Sequence, residues 1–311
     1  MFNICVDLYR TQFQNRWKHN QSSTKYIQPI NSSSMKAPIT TLIFDVDDTL
    51  YDVGTGFTAH RNTEGAQSFM VQCLNFPTME MAKTIRDEYF VQYHSTAKAL
   101  QEAEKDGRFP ECAKRISPLL SSSSSSSSSK EKENENENGA LFQAQDLAEW
   151  WASRLNFDLL GGKDEALIEM FQNCPLTLVA FSNGPRKYVK RVLVELGVAE
   201  FFPEERLFAV DDVLPYCKPE KEAFDKILTI LKVRPEECVM VEDSMKNIRA
   251  AKALGMKTIL VAGRTPTDNS MEAMKQSEAT KAGDAPERND PAVDVSVEIC
   301  SDIPTQWPDL W

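Results

Sequence analysis

The chain has 311 residues, of which 41% are hydrophobic, and carries a formal net charge of −11 at neutral pH. That length and apolar content are enough for one large domain or two modest ones. The acidic balance argues against nucleic acid and anionic membranes as partners, because both repel a negative surface. The sequence contains no run of about 18 apolar residues, so no membrane span is predicted.

The cysteines and the first 40 residues give information about the cellular compartment of the protein. The seven cysteines are odd in number and form no Cys-x-x-Cys pair, which favours free thiols in the cytoplasm over a disulfide framework or a zinc knuckle. Residues 1–40 carry five basic side chains against one acid, with several serines. This segment is interpreted as a disordered leader, an organellar transit peptide or residues upstream of an internal start at Met35.

The first half of the chain begins with a strand and continues as helices. Residues 41–45 form a short apolar run that ends in an acid, as a buried parallel strand does. Apolar residues then recur at helical spacing over 57–106, with Thr78 placed as a helix N-cap. Residues 118–139 hold nine consecutive serines and a Lys/Glu/Asn-rich tract, which predicts a disordered insertion in a surface loop. The helical pattern resumes at Leu147.

Strands and helices alternate in the second half. Strands are predicted at 176–182, 207–210, 238–242, 257–261 and 293–299, and helices at 187–196, 221–231 and 246–254. This alternation is typical of βαβ units in a parallel sheet. The sequence therefore predicts an α/β fold with a doubly wound, Rossmann-like core (41–52 and 174–311). A helical cap (53–173) is inserted after the first strand and contains the serine-rich insertion.

Polar clusters follow the predicted strands, at the sheet edge where open α/β folds bind ligands. Asp45 and Asp47 are two residues apart, so one can attack phosphorus while the other protonates the leaving alcohol. Oxygen ligands from Asp45 and the Glu242–Asp243 pair suit Mg²⁺, which would neutralise a phosphate dianion. Lys218 supplies a point charge. The remaining phosphoryl contacts are predicted from the Ser182 hydroxyl and the backbone N–H groups of Asn183 and Gly184.

These motifs resemble the haloacid dehalogenase superfamily. DVDDT at 45–49, FSNG around Ser182, CKPE around Lys218 and VEDS at 241–244 occur in the family's order. Longer phrases resemble pyrimidine 5′-nucleotidases of the yeast and plant type: FDVDDTLYD (44–52), IRDEYFVQYHSTAKAL (85–100), CKPEKEAFDKIL (217–228) and VEDSMKNIRAAKALGMKTILV (241–261).

The resemblance implies a role for each matching residue. Asp45 matches the nucleophile and a Mg²⁺ ligand, and Asp47 the acid/base, whose main-chain carbonyl is a second ligand. Thr49 matches a residue that supports this loop at the substrate site. The other matches are Ser182 as the phosphate-binding hydroxyl, Lys218 as the lysine that orients the nucleophile, Asp243 as the last Mg²⁺ carboxylate and Glu242 as its partner.

The sequence departs from the nucleotidases in three places, one of which is the serine run that they lack. They carry Tyr-Gly-Thr-Thr where this chain has Tyr93-His94-Ser95-Thr96, and Thr-Asn-Ala where it has Ser182-Asn183-Gly184. The catalytic residues are intact, so the resemblance still implies hydrolysis, but the altered cap segment leaves the nucleotide preference open. His94 is therefore predicted either to face the sheet edge and contact substrate or to be a partly exposed helix histidine.

The leading hypothesis is a Mg²⁺-dependent phosphomonoesterase acting on a small phosphate monoester, most specifically UMP or CMP, through a phospho-aspartate. A phosphatase of a sugar phosphate or of pyridoxal phosphate is the alternative, because a fold does not choose a substrate. A phosphomutase would need a cap that retains the product. A dehalogenase needs neither Asp47 nor Asp243, and a non-catalytic regulatory protein would not need intact acids. The sequence leaves the oligomeric state open.

Overall fold

The sheet is built from parallel strands whose residues are almost all buried. The computed structural model describes residues 38–116, 139–264 and 284–311. Within them, six strands pair in the order β3-β2-β1-β4-β5-β6. They are β1 (Thr41–Phe44), β2 (Thr177–Phe181), β3 (Leu207–Phe208), β4 (Cys238–Glu242), β5 (Lys257–Val261) and β6 (Val295–Val297). The predicted α/β fold class with a doubly wound parallel sheet is confirmed.

Helices separate β1 from β2 along the chain. They are α1 (Phe57–His60), α2 (Ala66–Cys73), α3 (Met79–Tyr93), α4 (Thr96–Lys105), α5 (Ala144–Arg154) and α6 (Glu165–Asn173). A π-helical turn, Arg61–Gly65, joins α1 to α2. The later helices are α7 (Arg186–Glu195), α8 (Val210–Val213), α9 (Lys221–Leu231), α10 (Met245–Ala253) and α11 (Ile303–Gln306). Residues 1–37 and 117–138, with most of the predicted leader and insertion, lie outside the described residues.

The core has one layer on each face of the sheet, because successive strand residues point to opposite faces. Phe44 packs edge-on against Phe171 of α6, with ring centroids 5.2 Å apart. On the other face, Phe181 packs edge-on against Phe224 of α9 at 5.6 Å. Helices therefore cover both faces, which is why the central strands consist of continuous apolar runs.

Four strands are shorter than predicted. β1 and β2 lose only single residues at their ends, and local hydrogen bonds explain the shortening of the other two. The strand predicted at 207–210 ends at Phe208, because the Asp212 carboxylate accepts the Ala209 N–H at 2.8 Å and so starts α8. The strand predicted at 293–299 is limited to β6, because the Val293 N–H closes a turn onto the Asp290 carbonyl at 2.9 Å.

The α3–α4 junction approaches the carboxyl edge of the sheet. Thr78 caps α3 as predicted, with its Oγ1 3.1 Å from the Met81 N–H. The helix ends at Tyr93 and is capped by His94, which adopts a left-handed conformation (φ 49°). Ser95 then donates from Oγ to the Asn183 carbonyl at 3.0 Å, tying the junction to the loop after β2.

Across the three described ranges, no helix combines the length and the apolar character needed to cross a bilayer.

Candidate active site

The predicted motif residues meet at the carboxyl edge of the sheet. Asp45 follows β1 and Asp243 follows β4, and these two strands are hydrogen-bonded neighbours. Ser182 follows β2 on the other side of β1. The three loops leave the sheet at the same edge, where the strand order reverses and ligands bind in open α/β folds.

Lys218 is held between two acids. Its Nζ lies 2.6 Å from Asp45 Oδ1 and 2.8 Å from Glu242 Oε2, and all three residues are buried. Burial alone would lower the pKa of Lys218, but the charges of Asp45 and Glu242 outweigh it and raise the pKa above its ordinary value. Lys218 is therefore a fixed cation beside the Asp45 carboxylate, which it orients and partly neutralises.

Three acids form a cluster that could hold a metal ion. Asp45, Glu242 and Asp243 each contribute a carboxylate oxygen, and these oxygens lie within 4.8 Å of one another. Burial, followed by the charge of Glu242, raises the pKa of Asp45 to about 8 although Lys218 acts in the opposite direction. Burial and then Glu242 raise the pKa of Asp243 well above its ordinary value. Hard divalent cations favour such oxygen donors and would relieve the repulsion between the acids.

Thr49 links two of these carboxylates. Its hydroxyl lies 3.4 Å from Asp45 Oδ2 and 3.3 Å from Asp243 Oδ1. The single hydroxyl hydrogen can serve only one of them at a time. Thr49 therefore links the loop after β1 to the loop after β4 through its hydroxyl group.

The Ser182-Asn183-Gly184 turn organises the loop that carries Lys218. The Asn183 side chain donates to the Lys218 carbonyl at 2.8 Å and accepts the Lys218 N–H at 2.9 Å. The Gly184 N–H donates to Ser182 Oγ at 2.9 Å. Asn183 and Gly184 line the pocket, whereas Ser182 is not among the described lining residues. A phosphate contact from the Ser182 hydroxyl stays a prediction.

Asp47 is surrounded by donors that the sequence did not reveal. Its Oδ1 accepts from Tyr51 Oη at 2.7 Å and from Tyr188 Oη, and its Oδ2 lies 2.5 Å from Arg61 Nη1. Burial first, and then the Asp47 charge, raises the pKa of Tyr51 well above its ordinary value. For Tyr188 burial is the largest cause, and it raises the pKa in spite of the opposing effect of Arg61. Both phenols are therefore protonated donors near neutral pH.

His94 lines the pocket at the carboxyl edge of the sheet. Its Nε2 lies 2.6 Å from Lys246 Nζ at the start of α10. Burial and then the Lys246 charge lower the pKa of His94 to about 4, so the imidazole is neutral near pH 7 and Nε2 accepts from Lys246. A contact between His94 and a substrate stays a prediction.

The pocket encloses about 680 Å³ of empty space, which includes space open to solvent. Acids dominate the sheet side, and the helical segment contributes aromatic and hydroxyl groups. The lining residues are Asp45, Asp47, Asp48, Thr58, Arg61, Phe90, His94, Ser95, Thr96, Trp151, Asn183, Gly184, Lys218, Glu242, Asp243, Ser244, Asn247 and Asp284.

Two further pocket residues were not predicted from the sequence. The buried Asn247 Oδ1 has no hydrogen-bond partner among the described residues. Its position one helical turn after Asp243 was the available signal. Asp284 accepts the Lys246 N–H at 2.9 Å and a hydrogen bond from Ser244 Oγ, which caps the start of α10. Its distance along the chain left no sequence signal.

Comparison with protein families identifies the chain. Residues 39–255, well over half of the chain, match the family model of haloacid dehalogenase-like hydrolases. The chain belongs to the haloacid dehalogenase-like hydrolase family. The superfamily resemblance carried by the four motifs is thereby confirmed, and the nucleotidase subtype stays a prediction.

Relatives of this hydrolase include phosphatases. It is 30% identical over 112 residues to validoxylamine A 7′-phosphate phosphatase of Streptomyces hygroscopicus subsp. limoneus, covering 36% of this chain and 49% of the relative. It is 34% identical over 91 residues to phosphoglycolate phosphatase of Vibrio vulnificus, covering 29% and 38%. The matches thus span about half or less of these relatives. L-2-haloacid dehalogenase from Xanthobacter autotrophicus is a structural neighbour with a TM-score of 0.47 and 18% identity, covering 86% of this chain and 97% of that one.

Proposed function

We propose that this hydrolase is a Mg²⁺-dependent phosphomonoesterase that works through a phospho-aspartate on Asp45. The observation that carries the proposal is the juxtaposition of Asp45 and Lys218 at the end of β1, with Asp47 two residues later in the same pocket. The carboxylate is oriented by a fixed cation, and a second acid lines the same pocket. Phosphatases among the relatives support the reaction class.

The chain's own residues account for both halves of the cycle. In the first half, an Asp45 oxygen forms a bond to phosphorus while the bond from phosphorus to the ester oxygen breaks, and Asp47 gives its proton to that oxygen. In the second half, water attacks the same phosphorus and Asp47 takes the water's proton. Phosphate leaves and the Asp45 carboxylate is restored. Throughout, Lys218 stabilises negative charge on Asp45 and on the phosphoryl oxygens.

The donor set of the acid cluster fits Mg²⁺. Asp45 and Asp243, the main-chain carbonyl of Asp47 and a share from Glu242 would hold the ion through oxygen alone. When bound, Mg²⁺ neutralises phosphate charge that would otherwise repel the nucleophile. Glu242 has a second task in this arrangement, since its Oε2 already accepts from Lys218.

We further propose that the helices between β1 and β2 act as a cap that selects the leaving group. The motif residues face the phosphoryl group, which all substrates share, so discrimination falls to residues that reach the pocket from these helices. Phe90, His94 and Trp151 are such residues. The nucleotidase resemblance makes UMP and CMP the first substrates to test, and the names of the relatives add phosphoglycolate as a second candidate.

A phosphate-release screen tests the proposal. The purified protein would be assayed with UMP, CMP, phosphoglycolate, sugar phosphates and pyridoxal phosphate, with Mg²⁺ and with EDTA, and with L-2-chloropropionate for chloride release. We expect phosphate release that needs Mg²⁺, and no chloride. Folded protein that releases phosphate from none of these esters, or that releases chloride, would contradict the proposed function.

A further inference from the structure

Asp47 is held by three donors from three separate parts of the chain. Tyr51 lies in the loop after β1, Arg61 begins the π-helical turn between α1 and α2, and Tyr188 lies in α7. The two phenols donate to Oδ1, and Arg61 Nη1 lies 2.5 Å from Oδ2. A solvated acid at a strand end would not need this enclosure.

The arginine is itself fixed. Its guanidinium carbon lies 5.3 Å from the ring centroids of both Trp151 and Tyr188. Its Nε donates to Asn62 Oδ1 at 3.0 Å, and its Nη1 donates to Tyr188 Oη at 3.1 Å. Arg61 is 7% exposed. A buried guanidinium held by two rings and two hydrogen bonds has little freedom, so it restrains whatever carboxylate it binds.

The donors divide unequally between the two Asp47 oxygens. Each carboxylate oxygen offers about two acceptor positions. Two phenols occupy both positions on Oδ1, whereas on Oδ2 the Arg61 Nη1 occupies one. Asp47 also lines the pocket. Among the described residues, Oδ2 is therefore the Asp47 oxygen that keeps an acceptor position for a proton.

We propose that Arg61 is a positioning residue that orients Asp47 so that Oδ2 exchanges the proton in both halves of the reaction. This inference rests on the proposed phosphomonoesterase function. In the first half the Oδ2–H bond breaks and the proton passes to the leaving ester oxygen. In the second half Oδ2 takes a proton from the attacking water. Arg61 exchanges no proton itself.

The dependence of kcat/KM on the leaving group shows whether Arg61 positions an acid or has only a general structural role. Proton donation matters for an alkyl phosphate such as glycerol 2-phosphate, whose leaving alkoxide is strongly basic, and little for 2,4-dinitrophenyl phosphate. We expect Arg61→Met to lower kcat/KM for glycerol 2-phosphate by about 100-fold or more, within the range of general acid catalysis. The loss for 2,4-dinitrophenyl phosphate should be under about tenfold. Asp47→Asn should show the same contrast more strongly, and Arg61→Lys should restore part of the loss.

Two further variants keep the test decisive. Tyr188→Phe removes one hydroxyl and keeps the ring beside Arg61. It should lower kcat/KM less than Arg61→Met does, but again more for glycerol 2-phosphate than for 2,4-dinitrophenyl phosphate. This result remains informative even if Arg61→Met folds poorly. Arg86→Met is the matched control, because Arg86 is also buried against an aromatic ring (3.9 Å from the Phe90 centroid) but bonds Thr96 and Asp87. Arg86→Met should change kcat/KM by the same factor for both esters.

The outcomes distinguish the two proposals. Equal losses on both esters for folded Arg61→Met and Tyr188→Phe would overturn the positioning role and leave the phosphomonoesterase function standing. Wild-type protein that hydrolyses neither ester nor any substrate of the screen would overturn the proposed function itself.

Discussion

Lys218 Nζ lies 2.6 Å from Asp45 Oδ1, although the two residues are 173 positions apart in the chain. Both are buried, and Glu242 completes the group. The Lys218 ammonium group therefore pairs with two buried carboxylates, and its removal would leave their negative charge uncompensated.

We expect Lys218→Met to lower the free energy of unfolding by about 3–5 kcal/mol, the usual cost of breaking a buried ion pair from one side. Adding Glu242→Gln should recover part of the loss, because one of the uncompensated acids is then neutral. Urea unfolding of the three proteins measures this. Lys221→Met is the control, since Lys221 pairs with Asp225 at the surface and should matter little. Equal destabilisation by the two lysine variants would contradict the prediction.

Asp45→Asn should abolish turnover and leave the fold in place. A neutral amide cannot act as the nucleophile, but it has nearly the same volume as the acid and can still bond Lys218. The measurement is phosphate release together with thermal unfolding. Activity within about tenfold of wild type, equivalent to roughly 1.4 kcal/mol of barrier, would exclude a phospho-aspartate on Asp45.

Mg²⁺ should stabilise the folded protein through the acid cluster. A ligand that binds only the folded state at about 100 times its Kd adds about 2.7 kcal/mol of stability. We expect Mg²⁺ to raise the Tm of wild type and to raise it much less in Asp243→Asn. Asp225→Asn, a change at an exposed acid outside the pocket, should respond like wild type. An equal Tm increase in wild type and Asp243→Asn would place the ion elsewhere.

His94 should make stability depend on pH. Its pKa is about 4 when folded, against about 6.5 for an unperturbed histidine. Between those values the unfolded chain binds more protons, so folding stability from this group is present above pH 6.5 and is lost as the pH falls towards 4. Lys246 faces the ring, and Asp243 and Asp284 lie in the same pocket.

His94→Asn isolates this contribution, because asparagine tolerates the left-handed backbone found at residue 94. We expect the variant to lose less stability than wild type between pH 7.5 and pH 5, measured by urea unfolding at both values. Identical losses in the two proteins would show that the His94 pKa does not change on folding.

His94 also offers a test of selectivity. We expect His94→Gly to change the ranking of kcat/KM among UMP, CMP and phosphoglycolate while hydrolysis of p-nitrophenyl phosphate changes little. A contact to the leaving group would be worth about 1–3 kcal/mol, or roughly 5- to 150-fold. If every substrate falls by the same factor, His94 acts on the shared chemistry or on folding and not on selection.

Acids at the ends of strands were predictable, because local sequence patterns place each of them. A buried apolar run followed by an acid predicts a strand and its end, and the βαβ order predicts that such ends share one edge. Asp45 and Asp243 were found in this way and Lys218 from its own motif, and the structure brings the three together. Strand limits were less predictable, because single side-chain bonds such as that of Asp212 to the Ala209 N–H decide where pairing stops.

The sequence by itself determined the parallel α/β core, the family and the acids and lysine of the four motifs. Only the tertiary structure decided how Asp47 is held, because Arg61, Tyr188 and Trp151 belong to different helical elements and no spacing rule links them to it. It also decided that His94 meets Lys246, 152 residues away. Local patterns reflect backbone geometry, whereas contacts between distant side chains depend on how helices pack over the sheet edge, which short-range sequence does not encode.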